Sequence, residues 1–467
     1  MINVKSLICG KLSEGSEVKE SVSPIDNSVV ANIEFLSESE LEAAFKSSKE
    51  EKQRKEKKDF EELTHLANYF RENREVFTKQ IMLDSGFIKK DAEDLVEGSI
   101  EFCEDYSKHL DQLSLSDTVT SFSFKGSKTK IRHTSTPYGL IAATTPRNTP
   151  LITELTIVVH ALWSGNAVII RPSPGVAGTV ALLIKGLLEC FSPQTLSGLS
   201  IVFANAKDFV NSSLSHANLL HYVGSTKYIE TTLIAGINKG VKVLLDGDGC
   251  SLAVIDSDVD LDEAVKACYH GLIRCNGEIC ITIRVILVAE NIYEEFRSKF
   301  LQYIRQIKIV PPDATNESQM GPLFSSAQVE AIGNVAKKYK ILEGNPEPLE
   351  FGPNYISPIV VELDESYGSF LSESVFGPIV GLASYRGDGW KKWIKENPIN
   401  LTDAVFSKRE SFIKEFIETS HSPRRVINMD PTIESVFEPW GAFLPSGWND
   451  VSYWYDKYRN YFQIVEE

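Results

Sequence analysis

An α/β fold is predicted, with two successive parallel sheets and an aromatic tail. Three observations predict it. From Tyr138, short apolar runs alternate with helix-period segments until five strands have passed. After Asp246 the alternation restarts with a second set. From residue 440 the pattern gives way to aromatics: Trp440, Trp448, Tyr453, Trp454, Tyr455, Tyr458, Tyr461 and Phe462. Strands separated by helices imply a doubly wound parallel sheet, whose ligands bind beyond the carboxyl ends of the strands.

Each element has its own signal. Residues 46–58 are dense in Lys and Glu and read as a solvated helix face with i,i+4 pairs. Helical periodicity continues over 60–77 and 91–113. The run 139–145 is a buried strand, broken by Pro146 and Pro150. Residues 151–163 form a helix that stops at Ser164-Gly165-Asn166. The remaining strands of the first set are 167–171, 199–203, 219–223 and 241–245. Helices at 176–190, 206–214 and 228–235 separate them. In the second set, 251–255 is a strand and Asp260 caps a helix over 261–274. Asp262 and Glu263 complement the dipole of that helix. A Gly-containing turn then leads through Cys280 into a strand over 281–289 and a helix over 293–307. Residues 461–467 read as a terminal strand, which stays ordered only when docked, as on a sister subunit.

Composition narrows the class. The chain has 467 residues, 42% hydrophobic and 24% charged, as in a globular protein of two or three domains. A net charge of −16 argues against nucleic acid or an anionic membrane as partner. No apolar run approaches the roughly 20 residues of a membrane span, and the N-terminus lacks a signal-peptide pattern. Seven Cys without CxxC spacing read as reduced thiols of a cytoplasmic protein. The eight scattered His form no metal motif, so no metal is expected.

Three polar residues fall at strand ends: Asn148, Asp246 and Cys280. Each has a plain reading: a turn former, a strand-terminating carboxylate and a small buried hydrophobe. Together they supply an amide donor, a base and a thiol nucleophile, which are the parts needed for acyl transfer. No GxGxxG or P-loop is present. Gly224-Ser225, at a strand-to-helix junction, offers amides suited to a phosphate and equally suits a plain turn.

In this order the residues resemble the aldehyde dehydrogenase superfamily. The first strand and Pro146-Arg147-Asn148-Thr149-Pro150 resemble its PWNxP turn. Residues 164–174, ending Arg171-Pro172-Ser173-Pro174, resemble GNxVxxKPSE, and 222–226 resemble FTGST. Met320-Gly321-Pro322 and Phe376-Gly377-Pro378 match two further signatures, and Asn276-Gly277-Glu278-Ile279-Cys280 resembles NxGQxC. The resemblance implies a Rossmann-type dinucleotide-binding domain (1–115 and 138–246), a catalytic domain (247–430) and an oligomerisation arm (116–137 and 440–467). It implies attack of Cys280 on an aldehyde, giving a thiohemiacetal and then a thioester. Asn148 would hold the oxyanion and Asp246 would act as base. Thr145, Pro146, Arg171, Ser173, Pro174, Gly224, Ser225 and Phe376 would bind NAD or NADP. Trp440, Ile279 and Ile281 would line the substrate pocket. A homodimer or homotetramer is implied.

The departures matter as much. The family's base Glu aligns with Asp246, which reaches about 1.5 Å less on the single-bond scale; a misplacement of about 1 Å can cost on the order of 100-fold in rate. The family's adenosine-ribose Glu aligns with Pro174, which makes NADP tolerable, and its nicotinamide-ribose Glu aligns with Ser374. Ile229 replaces a Gly and is expected to crowd the phosphates. The lost Glu and Pro174 also resemble the CoA-acylating branch, which leaves CoA open as acyl acceptor and an acyl thioester as substrate. A degenerate member serving as a binding or assembly subunit is the other alternative.

Overall fold

The computed structural model describes every residue except 1, 52–58, 114–117, 125–126, 314–316, 365–367, 374 and 467. Two large sheets organise it. The first has nine strands, and its five central ones are parallel. In spatial order these are Lys242–Asp246, Leu219–Val223, Leu140–Thr144, Ala167–Arg171 and Leu199–Ile201. The chain starts at the middle strand, builds to one side, then crosses to the other. The switch point therefore lies between Leu140–Thr144 and Leu219–Val223, where ligands of doubly wound sheets bind. Leu140–Thr144 is buried at every position, as a strand covered on both faces must be.

The second sheet has seven strands, with Ile283–Ala289 at its centre between Ser251–Ile255 and Ile379–Tyr385. Asp260 caps the helix Leu261–Ile273, accepting from the Glu263 amide at 3.3 Å. The predicted helices over 151–163 and 293–307 appear as Ile152–Trp163 and Tyr293–Gln306. Residues 46–50 lie in the helix Glu38–Glu50, while 52–58 fall outside the described residues.

Three expectations need correction. The strand expected over 281–289 starts at Ile283, so Cys280 stands on the turn before it. Ile229 does not crowd a ligand. It opens the helix Ile229–Lys239 and is 1% exposed, packed into the core with Leu220 and Val243. Residues 440–467, expected as one arm segment, divide between two sheets. Trp440–Ala442 and Gly447–Ser452 extend the nine-stranded sheet, because the antiparallel pairing of Leu245 with Trp448 satisfies its edge. Only Arg459–Glu466 pairs with Ser127–Pro137, which pairs in turn with Thr118–Phe124 in a three-stranded sheet.

Candidate active site

A cleft of about 1140 Å³ lies where the strand ends of the two sheets meet. Cys280, Asn148 and Asp246 line it together. So do Thr145, Pro146, Arg171, Ser173, Gly224, Ser225, Phe376, Trp440, Ile279 and Ile281. Pro174 is outside it, as the first residue of a short 3-10 turn capped by Ser173. Ser374 lies outside the described residues.

The turn carrying Cys280 is clamped before it reaches the cleft. Cys275 and Asn276 both have positive φ, 47° and 60°. That region is costly for Cys and tolerated by Asn. Tertiary bonds hold it there. The Cys275 amide donates to buried Asp91 at 2.9 Å. Asn276 accepts from the Gly321 amide and donates to the Pro322 carbonyl, both at 2.8 Å. Buried Arg284 donates to the carbonyls of Gly277 and Gly377. Gly277 is also left-handed, at 69°, and a Cβ there would meet the Leu272 and Gly377 backbones at 2.8 Å. Those contacts are the reason this turn is written Asn-Gly.

Cys280 is half-buried. Burial pushes its thiol well above the usual range. The negative charges of Glu434, Asp248 and Asp246 add to the effect, Glu434 most strongly. The side-chain nitrogen of Asn148 donates to the Glu278 carbonyl at 2.8 Å. That leaves its second amide hydrogen for an oxyanion.

Asp246 ends its strand beside Val223 and its carboxylate is saturated. Oδ2 meets His221 Nε2 at 2.7 Å, Oδ1 accepts from Trp440 Nε1 at 3.2 Å, and Asn449 donates to both oxygens at 3.1 Å. His221 is fully buried, and its other nitrogen meets the Tyr458 hydroxyl at 2.7 Å. Burial alone would raise the Asp246 carboxyl. His221, Lys457 and Asn449 outweigh it and hold the group below its ordinary value. A carboxylate so engaged is a poor base, so the expected role of Asp246 does not follow from its surroundings.

Sequence reasoning missed three groups. Glu278 is buried and accepts from Arg147 at 3.3 Å, Gln328 at 2.8 Å and the Phe324 amide at 3.3 Å. The Arg147 guanidinium lies 3.5 Å over the Phe324 ring. Only the Arg and Glu in place of the family's Trp and Gln signalled this. Asp248 accepts from the Thr226 amide at 3.1 Å and so places a carboxylate beside the phosphate-suited turn. Glu434 lines the cleft from the loop before Trp440, and no motif marks it.

A dinucleotide fits the cleft by size and by donors. Arg171 faces it as a cation, although burial lowers its guanidinium to about 10. The Ser225 amide, at the start of a helical turn, has no partner among the described residues. Also among the described residues, no cluster of His, Cys, Asp or Glu has a metal-holding arrangement, and no helix is long and apolar enough to cross a membrane.

Known proteins match closely in fold and distantly in sequence. The family model "Aldehyde dehydrogenase family" matches residues 12–465. A D-glyceraldehyde dehydrogenase (NADP(+)) of Picrophilus torridus is 25% identical over 76% of this chain and 73% of its own. A benzaldehyde dehydrogenase of Bacillus subtilis is 24% identical over 92% and 90%. An NAD-dependent aldehyde dehydrogenase of Sinorhizobium meliloti superposes with TM-score 0.90 at 18% identity, covering 99% of this chain and 94% of that one. The geometry of the Cys280 turn and this match over nearly the whole length agree: the chain belongs to the aldehyde dehydrogenase family.

Proposed function

We propose that the protein oxidises an aldehyde with NAD or NADP through a thioester on Cys280. One observation carries this reading: the clamped turn presents Cys280 and the Asn148 amide to one cleft, at the switch point of the nine-stranded sheet. The thiol adds to the aldehyde carbon, and the new oxyanion is met by Asn148 and the Cys280 amide. Arg171, Ser173, Gly224, Ser225 and Thr145 hold the dinucleotide, with Phe376 beside it. The nicotinamide, when bound, supplies the hydride acceptor. Trp440, Ile279 and Ile281 give the aldehyde an apolar surround. Relatives named as NADP(+) and NAD(P)+ enzymes support either dinucleotide. Cys280 and Asn148 lining one cleft speak against a non-catalytic subunit.

CoA as acyl acceptor is the second reading, supported by the engaged state of Asp246. An aldehyde panel with NAD or NADP, with and without CoA, separates the two. Free acid without CoA supports hydrolysis, acyl-CoA supports transfer, and no turnover with any pair defeats both. The protein is further proposed to be a cytoplasmic homodimer or homotetramer. Seven free cysteines and the exposed Val119, Phe122, Phe462 and Val465 of the arm sheet support this.

A further inference from the structure

The saturated Asp246 carboxylate leaves the thioester without an evident base, and the loop before Trp440, which also lines the cleft, supplies one. Glu434 lines the cleft with Cys280 and is open to it. Its carboxylate forms no hydrogen bond or ion pair among the described residues; only the more distant charges of Arg424, Glu438 and Arg274 act on it. The backbone beneath it is fixed. Arg424 donates to the Pro431 carbonyl at 2.7 Å and the Ile433 carbonyl at 2.8 Å. Arg274 donates to the Thr432 carbonyl at 3.1 Å, between them. Asp430 closes the start of the loop on the Thr432 amide and hydroxyl, at 2.9 and 2.7 Å. Three consecutive carbonyls are thus held by two arginines, directly before Glu434.

We infer that Glu434 is the general base that deacylates Cys280. Its unpartnered carboxylate takes a proton from the attacking water, as the water oxygen bonds to the acyl carbon. The carbon–sulfur bond then breaks, and the proton passes to the leaving Cys280 thiolate. The products are the free acid and the thiol, with no change of oxidation state.

The surroundings agree. The surrounding cleft walls raise the Glu434 carboxyl above its ordinary value even though the side chain is open on the cleft side; Arg424 and Arg274 oppose the rise and Glu438 adds to it. Arg274 is itself shared with Asp94 at 3.4 Å. A base works best when its pKa is near the working pH. No charge acts on the Cys280 thiol more strongly than that of Glu434.

The inference rests on Cys280 as nucleophile, and p-nitrophenyl acetate tests it without aldehyde or dinucleotide. Wild type should release a burst of p-nitrophenolate and then turn over. Glu434→Gln should keep the burst, slow the steady state about 100-fold or more, and accumulate an acetyl adduct on Cys280 by intact mass. Hydroxylamine, which needs no base, should release that adduct at a wild-type rate. Glu434→Asp should keep the burst with an intermediate rate, and serves if the Gln variant does not fold. The acid limb of the steady-state profile should disappear in Glu434→Gln. Equal deacylation in wild type and Glu434→Gln would overturn the inference. So would a change confined to KM for a cation-bearing aldehyde, which marks a recognition residue. No burst and no adduct in wild type would instead overturn Cys280 as nucleophile.

Discussion

The strand-end wall of the cleft and the 430–438 loop spend their hydrogen-bond donors in opposite ways. At the strand ends, His221, Asn449 and Trp440 all donate to the side chain of Asp246. On the loop, Arg424 and Arg274 donate to the backbone carbonyls of 431–433 and Arg424 also to the Glu438 carboxylate, while among the described residues the Glu434 side chain receives no hydrogen bond. The first arrangement fixes a charge and removes its basicity. The second fixes a backbone and leaves the carboxylate available. Similar groups on one cleft are thus sorted into structural and chemical roles by where the donors point.

The largest expected effect concerns what both walls serve. Cys280→Ala should abolish acylation by p-nitrophenyl acetate, a loss on the order of 10³-fold or more. An adduct on the variant, detected by intact mass, moves the nucleophile elsewhere. Cys275, Cys250, Cys268 and Cys103 are poor substitutes, since each is buried whereas Cys280 is only half-buried on the cleft. Asn148→Ala should slow the burst by about 10²-fold, the usual scale for one oxyanion donor. An unchanged burst rate would take Asn148 out of the site.

Stability should separate the two carboxylates directly. Asp246→Ala orphans three donors, two of them buried, and should cost about 3 kcal/mol or more in denaturant unfolding. Glu434→Gln should stay within about 0.5 kcal/mol of wild type. If both changes cost the same, the contrast between the walls fails.

A smaller effect is expected in the thiol itself. The Glu434 charge helps hold the Cys280 pKa up, so Glu434→Gln removes that charge and lets the thiolate form at lower pH. The rate of Cys280 alkylation by iodoacetamide, followed against pH, should rise earlier in the variant. A shift toward higher pH contradicts the assigned proximity. The smallest effect belongs to Asp248, whose carboxylate caps the Thr226 amide beside the phosphate-suited turn. Asp248→Asn should tighten NADP+ binding a few-fold by calorimetry, as removal of about 1 kcal/mol of repulsion predicts.

Much of the fold was legible in the sequence. The buried strands read as apolar runs, because strands covered on both faces contain little else, and Asp260 announced its helix as a side-chain cap. The strand preceding Asp246 runs to Asp246 itself, one residue beyond the apolar pattern. The boundary failures share a cause. Residues 440–452 carry the same aromatics as the arm, and only sheet pairing separates the two.

Cys280 and Asn148 were legible as candidates in the sequence, because a Gly-containing turn before an apolar run and a Pro-bracketed turn are local signals, whereas the left-handed form of the Cys280 turn is held by tertiary bonds. Ile229 and Pro174 could not be placed that way, since whether a side chain faces a cleft or the core depends on the packing of its helix. Asp246 and Glu434 mark the clearest division. Alignment pointed to the first as base by its position next to a strand end. Its basicity is set by His221, Lys457 and Asn449, which come from distant parts of the chain and converge only in the tertiary structure. Glu434 owes its place to Arg274 and Arg424 in the same way. A carboxylate's identity is written in the sequence, but its protonation energy is a sum over neighbours, and those neighbours are chosen by the tertiary structure.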